Sequence, residues 1–561
     1  MDYFEYYSAL ANNESEKYNF FYTRLNRMLL EWNKYICQIE YKTEFSWVYM
    51  FEYIKTAIIN LISEFCPKED KVILKKHLWD NEYKEVLFKT LLHYKKKSLI
   101  IWCFLQACYY LDEKLEKSEY YNGTLENMEF LISKGTIFDS VDELYLDPLL
   151  LISAPLFPMS YRNQNNKSLF EKRYDTYVSM CPDLIYDGVK DRQVRKEGKL
   201  KIGFMSDFLT KDSSVLRDRM GIIENLDRDK FDVKIIVSVK PDKIEGKISR
   251  EFYERNKEHF VFLDLKISDS RKTISNLELD VLVYCEIGMA VKNFLLSFSR
   301  LAPIQINTWG HSDTSGNKDI DYFISSKLFE IDEAQENYSE KLVKFDSLGT
   351  YYFPPDEQYL SLDDYEKYDR KHFELPEDKF LIGCIQSKFK ISIEFEYVLK
   401  EILENNKDCL IYLSIYTEIN RSHLERIKLK LGDNFNRLKF IRGMKTQEYL
   451  YLLRNFDIIL DPFPFGGCNT SLEAFRFNIP VVTQPTNFIN GRFTSGFYEL
   501  MDLKEMITET KDDYVKMITK LIDDKTYLDN IKSQINDKKN KLFKQKKSID
   551  EWSKFLLEFQ K

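Results

Sequence analysis

The chain has 561 residues, 44% of them hydrophobic and 31% charged, with a formal net charge of -8. That length exceeds one hydrophobic core and suits about three or four domains, and the balance is globular rather than disordered. The negative charge excludes an electrostatic grip on nucleic-acid phosphates, so no nucleic-acid partner is expected.

Residues 1–195 read as an all-α N-terminal region. Apolar and aromatic residues recur at three- and four-residue spacing in FFYTRLNRMLLEWNKYI and FSWVYMFEYIKTAIINLI. No Trp, Gly or Pro signature recurs at the period of about 34 residues that marks one class of helical repeat. Such a region is expected to support the rest of the chain, bind an acceptor or mediate oligomerisation. The opening MDYFEYY is acidic and aromatic, unlike a signal peptide. The longest apolar run, Leu99 to Leu111, carries Gln106 and falls short of the ~20 residues a membrane span needs. No membrane partner is expected, and the protein is placed in the cytoplasm. The nine cysteines form no CxxC pair and sit mostly in apolar runs, which predicts buried free thiols in a reducing compartment.

The character changes near Lys199. Short apolar strands appear in LKIGFMSDF, FDVKIIVSV, KEHFVFLDL, LDVLVYCEIG, PIQINTWG and DIDYFISS, separated in several places by helical stretches. Strands alternating with helices predict an open parallel sheet, here a Rossmann-like domain over 196–365. A polar, proline-containing stretch at 353–379 reads as a linker. A second α/β series follows over 366–540, with strands in KFLIGCIQS, DCLIYLSIY, RLKFIRGM, FDIILDPFP and IPVVTQP. Two such domains face a cleft at the carboxyl ends of their sheets, where open α/β sheets bind ligands. The tail, 541–561, contains SIDEWSKFLLEFQ, which predicts an amphipathic helix capped by Ser548.

The segment most able to carry chemistry is DIILDPFPFGGCNTSLEAFRFNIPVVTQP, 457–485. A buried strand ends at Asp461, and Gly466 and Gly467 loosen the loop that follows. A helix then starts near Asn469 or Thr470. A helix start after a glycine-containing loop at a sheet's carboxyl edge favours an anion such as a diphosphate. Thr470-Ser-Leu-Glu473 equally fits a capping box, which needs no ligand, and Glu473 also suits ribose hydroxyls. No G-x-G-x-x-G follows the strand at 200–205, which argues against a dinucleotide oxidoreductase.

This segment resembles the donor-binding stretch of the O-linked N-acetylglucosamine transferase and SPINDLY family. Its DPFPFG wording is similar to the bacterial cytoplasmic N-glycosyltransferases of the same superfamily. KLKIGFMSDF, APIQINTWGHSDTSGNKDIDYFISS, YSEKL and IGCIQSKFKIS resemble family motifs in the same order, so the likeness covers about residues 199–500. It implies a GT-B fold, with an acceptor-side first domain and a nucleotide-sugar donor side in the second. It implies an inverting, metal-independent transfer of one sugar, first of all N-acetylglucosamine from UDP-N-acetylglucosamine to Ser or Thr hydroxyls of protein. GDP-fucose or UDP-glucose as donor, a glycan or small-molecule acceptor, and a catalytically decayed scaffold are the alternatives. No cofactor or metal beyond the nucleotide sugar is implied.

Residue by residue, the resemblance places Lys390 on the donor diphosphate, with Gln386 beside it. It matches Asn469 and Thr470 to the phosphate-binding pair in the loop of Gly467 and Cys468, and Glu473 to the ribose. Lys445 and Tyr449 fall near the base, and Arg492 matches a family arginine. Trp309, Gly310 and His311 fall on the interdomain face. Two family histidines are missing, one from the loop SDFLTKDSSVLRDR and one where Cys468 stands. Candidate bases are therefore His311 and Asp212, then Asp207 and Glu286.

Overall fold

The structure is a computed structural model that describes residues 117–145, 157–189, 191–361, 364, 366–415 and 421–561. The two early amphipathic stretches, the Leu99–Leu111 run and Cys37, Cys66, Cys103 and Cys108 lie outside the described residues. The chain divides into two units. In the first, the described part is the helix Lys117–Lys134 and the residues up to Phe138, with Met128 and Leu131 buried. The second joins Asp139–Tyr145 to Ala154–Lys561 and holds everything that follows.

Seven strands build the first sheet: β1 Leu200–Met205, β2 Phe231–Val237, β3 Phe260–Phe262, β4 Val281–Tyr284, β5 Ile304–Thr308, β6 Tyr322–Ser326 and β7 Lys341–Phe345. All pairings are parallel, in the order β3-β2-β1-β4-β5-β6-β7. Helices cover both faces, so the central β4 is buried at every residue. At the edges, β3 and β7 are only partly buried. The sequence of β7, KLVKF, lacks the long apolar run of its neighbours, and this strand was missing from the expected set.

Five strands build the second sheet: β8 Phe380–Cys384, β9 Cys409–Ile415, β10 Leu438–Arg442, β11 Ile458–Leu460 and β12 Val481–Val482, parallel in the order β10-β9-β8-β11-β12. The stretch expected to be a linker, 353–379, contains the short helix Pro355–Tyr359 and ties back to the second lobe through the Arg370–Asp457 ion pair (2.9 Å).

In both sheets the chain starts at the middle, runs outward, and crosses back. The crossing point lies between β1 and β4 in the first and between β8 and β11 in the second. Loops leaving adjacent strands part in opposite directions there, and a crevice opens. The second crevice is edged by the loop Ile385–Lys390 after β8 and the loop from Asp461 after β11.

The last helix, Lys546–Glu558, returns to the first lobe. Trp552 is fully buried, 5.7 Å from the Phe345 ring, and donates its indole N–H to the Gly349 carbonyl at 2.9 Å. Glu551 accepts from the amides of Asp346 (2.9 Å) and Ser347 (3.1 Å). Ser548 is not the cap: the helix starts earlier, after Gln545, and the buried Ser548 hydroxyl donates to Ser347 Oγ instead. No helix among the described residues is long and apolar enough to cross a membrane.

Candidate active site

A cavity of about 220 Å³ lies between the two lobes, where the crevices face each other. The second lobe lines it with Gln386, Lys390, Phe465, Cys468, Asn469 and Thr470. The first contributes Ser214, Asp218, Met289, Trp309, Gly310 and His311. Ser160 and Tyr161, ahead of the first sheet, line it as well, with Ser312 and Phe493.

The helix Asn469–Arg476 begins on this cavity. Its N-cap residue is Cys468, whose side chain makes no capping hydrogen bond. The T-x-x-E box is therefore not formed. Thr470 lies inside the helix, where its hydroxyl accepts from Gln386 Nε2 at 2.7 Å. Glu473 faces elsewhere: Tyr449 donates to its Oε2 at 3.1 Å and Arg217 pairs with its Oε1. Ser471 N and Leu472 N reach back to the Cys468 carbonyl at 3.1 and 3.2 Å, which leaves the amides of Asn469 and Thr470, two residues of the cavity lining, at the positive end of the helix dipole.

Gly467 is required by crowding. A Cβ there would stand 2.6 Å from Thr470 Oγ1 and 2.7 Å from Gln386 Nε2. Its amide donates to Asp461 Oδ1 at 2.5 Å, so it braces the loop rather than facing a ligand. Thr483 donates to the other carboxylate oxygen at 2.7 Å.

The Lys390 ammonium donates to the Gly466 carbonyl at 2.6 Å and to Gln386 Oε1 at 3.2 Å, with the Phe465 ring 4.5 Å away. Its acceptor Gly466 lies three residues before the helix start. Burial pulls the ammonium down to about 8, against the attraction of Asp461. A cation kept in so dry a place is primed for an anion, since a diphosphate would return the solvation that burial removes.

On the opposite wall, His311 Nε2 is 3.1 Å from Ser160 Oγ. Ser160 Oγ in turn donates to Asp313 Oδ2 at 3.0 Å, and Asn166 donates to the same oxygen at 2.7 Å. Because Ser160 gives its hydrogen to Asp313, it receives one from His311, which fixes the imidazole tautomer. Burial lifts the Asp313 carboxyl to about 6.

Several sequence candidates fall away from this cavity. Asp212 accepts from the amides of Lys247 (3.1 Å) and Ser249 (2.9 Å), closing the start of the helix Lys247–Asn256. Asp212→Ala is accordingly expected to lower stability by about 1 kcal/mol and to leave transfer within about twofold, as chemical denaturation and an activity assay will show. Asp207 is partly buried and accepts from the Ser238 amide at 2.5 Å; desolvation raises its carboxyl. Glu286 is fully buried, receives Met289 N at 2.9 Å and Asn293 Nδ2 at 2.6 Å, and is pushed by burial up to about 8. Lys445 is exposed and is the N-cap of the helix Thr446–Leu453. Tyr449 and Glu473 are buried outside the cavity lining. Arg492 donates to the Thr486 carbonyl at 3.0 Å and also lies outside the lining.

Two motifs prove to be structural partners. Ser315 N donates to Glu340 Oε1 at 2.8 Å and Thr314 Oγ1 to Oε2 at 2.5 Å, so the T-S-G turn is bound by the glutamate of YSEKL. Gly316, at φ 68°, is pressed against the Phe170 backbone, which a Cβ would meet at 2.3 Å.

The sequence reading missed Asp218, Ser160 and Asp313. Asp218 and Arg217 cross between the lobes: Asn469 Nδ2 donates to Asp218 Oδ1 at 3.1 Å, beside the Arg217–Glu473 pair. Their one sequence signal is the charged run LRDR in a helix, Ser214–Asn225, that is otherwise mostly buried.

Two parallel α/β lobes, with an uncapped helix start and a partly buried lysine at the switch point of the second, define a glycosyltransferase of the GT-B fold. The model of glycosyl transferase family 41 matches residues 176–361 and 365–551, and the chain belongs to that family. It is similar to the UDP-glucose:protein N-beta-glucosyltransferase of Actinobacillus pleuropneumoniae, 28% identical over 240 residues, 42% of this chain and 37% of the relative. It is also similar to the probable UDP-N-acetylglucosamine--peptide N-acetylglucosaminyltransferase SEC of Arabidopsis thaliana, 24% identical over 302 residues, 52% of this chain and 30% of the relative. The matches thus span about a third of the length of these curated relatives. Among solved structures, a mutant of Thermobaculum terrenum O-GlcNAc transferase shares the fold, with a TM-score of 0.59 at 16% identity over 91% of this chain and 94% of that one.

Proposed function

We propose that the protein moves a single sugar from a UDP-linked donor to a protein acceptor, with inversion and without a metal ion. The observation that carries this reading is the partly buried Lys390 ammonium beside the uncapped start of the helix Asn469–Arg476. As the bond from the anomeric carbon to the diphosphate oxygen breaks, its electron pair passes to the diphosphate. Lys390 and the helix amides neutralise that charge, the role a metal plays in other sites. Gln386 fixes Thr470 and Lys390 in register. As the new bond to the anomeric carbon forms, the acceptor proton leaves late, to a donor phosphate oxygen, and His311, held at Nε2 by Ser160, aligns the acceptor. Lys445, Tyr449, Glu473 and Arg492 retain their assigned parts only with some movement of the lobes, because this form presents none of them to the cavity.

Both curated relatives are named for a UDP-sugar and a protein or peptide acceptor, which supports that pair of substrates here. N-acetylglucosamine to Ser or Thr is the first reading. Glucose is the second, favoured by the higher identity to the Actinobacillus enzyme.

A thermal-shift panel of UDP, UDP-N-acetylglucosamine, UDP-glucose, GDP and GDP-fucose tests the donor. A ligand at a hundred times its Kd adds about 2.7 kcal/mol of stability. The UDP compounds are expected to stabilise the protein, and a response to GDP compounds alone would overturn the UDP assignment. The UDP affinity is further expected to fall as pH rises through about 8, where free Lys390 loses its proton. A flat profile between pH 7 and 9.5 would count against the lysine.

A further inference from the structure

The donor pocket contains a side chain of the wrong sign for a diphosphate. Asp218 lines the cavity from the first lobe, 3% exposed, and among the described residues it is the one carboxylate in that lining. Its neighbours across the cavity, Gln386, Lys390, Asn469 and Thr470, can all donate hydrogen bonds. Asp218 is bonded to one of them, Asn469, at 3.1 Å. Burial pushes its carboxyl up, while Arg219, Asn469, Tyr352 and Arg217 hold it back. It is thus a desolvated acceptor at the threshold of an anion site.

Phosphate oxygens only accept, and a carboxylate facing them would meet like charge at short range. The part of a sugar nucleotide that can satisfy a carboxylate is one rich in O–H groups. Two parts qualify, the ribose and the hexose. The ribose is common to UDP and to every UDP-sugar, whereas the hexose is present only in the intact donor.

We propose that Asp218 is a specificity-determining residue of the donor site, accepting hydrogen bonds from hydroxyls of the hexose that is transferred. This rests on the sugar-nucleotide reading above and adds the group that recognises the sugar, contributed by the lobe opposite the diphosphate. In the absence of donor, Asn469 occupies the carboxylate. When donor binds, the Asn469 amide turns to the phosphates and the hexose hydroxyls take its place on Asp218. The arrangement rewards the intact donor over the spent nucleotide, because with UDP nothing replaces the Asn469 amide on Asp218 beside a bound anion.

The test is titration calorimetry of the full chain and of Asp218→Asn with UDP, UDP-glucose and UDP-N-acetylglucosamine at pH 7. The variant is expected to bind UDP as well as the native protein or a few-fold tighter, since a negative charge near the diphosphate is gone. Its affinity for the preferred UDP-sugar is expected to fall about 10- to 100-fold, the loss typical of a hydrogen bond to a charged group. Equal weakening of UDP and UDP-sugar would assign Asp218 to the ribose or to bridging the lobes, and would overturn the proposal. Unchanged binding of both sugar nucleotides would overturn it as well. Native protein that binds neither UDP nor a UDP-sugar overturns the donor reading itself, and this assignment with it. Asp218→Glu, which keeps the charge and shifts it by one methylene, is the second variant if Asp218→Asn does not fold. The same split is expected, with UDP retained and the sugar nucleotide weakened.

Discussion

Lys390→Ala is expected to lower kcat/KM for sugar transfer by about 10³-fold, near the upper end of what one oxyanion-stabilising donor contributes. The lysine is held on two acceptors, Gly466 O and Gln386 Oε1, so its position does not depend on a ligand. Charge develops on the leaving diphosphate in the transition state, and a preorganised ammonium meets it without rearrangement. Most of the loss should therefore fall in kcat. The corresponding loss for His311→Ala is expected to be smaller, about 10²-fold, in line with loss of an aligning contact to the acceptor. In an oxocarbenium-like reaction the acceptor proton can leave late. Steady-state kinetics on both variants, with melting temperatures as a control for folding, decide the order. A larger loss at His311 than at Lys390 would reverse the mechanism argued here.

The second large effect concerns the seam between the lobes. Glu473→Ala is expected to destabilise the protein by about 3–5 kcal/mol, the usual cost of orphaning a buried charge. Its partner Arg217 has a side chain only 17% exposed, and Glu473's own is 4% exposed. Burial alone would lower the guanidinium, but the Glu473 carboxylate holds it above its usual range. Removing the acid leaves that guanidinium with the Tyr449 and Tyr359 rings nearby and no counter-charge at its Nη1. Adding Arg217→Met to Glu473→Ala should recover most of the loss, since the stranded charge is then gone. Urea denaturation of the two single variants and the double variant gives the coupling directly. Independent, additive losses would show that the pair contributes nothing as a pair.

The parts of the fold that could be read from sequence are those with a strong local pattern. Strands β1 and β4 are covered on both faces, so LKIGFM and VLVY are apolar but for Lys201. The edge strand β7 is mostly half-buried and has lysines at two of its five positions, and it gave no such run. The helix start at Asn469 was visible as a glycine-bearing loop followed by helix formers. The capping box was misleading because spacing alone does not say which residue is the N-cap: the helix begins one residue before Thr470, and Arg217 claims Glu473.

The site was harder to read where its partners are distant in the chain. Asp218 and Asn469 are 251 positions apart, and Ser160 and His311 are 151 apart. Nothing in LRDR or in PMSY announces those meetings. Asp212 illustrates the opposite error: an acid in a loop near the crevice resembles a base until its two amide partners are seen.

The path of the final helix bears on how the chain acquires its shape during synthesis. The slot that receives Trp552 is made by residues of the first sheet and its following turn, Phe345 and Gly349 among them. A ribosome finishes the first lobe's strands some two hundred residues before it delivers the side chain that plugs them. The nascent first lobe must therefore wait, with an apolar gap open, while the whole second lobe emerges and folds. The first lobe is completed only by the last residues of the chain to be made.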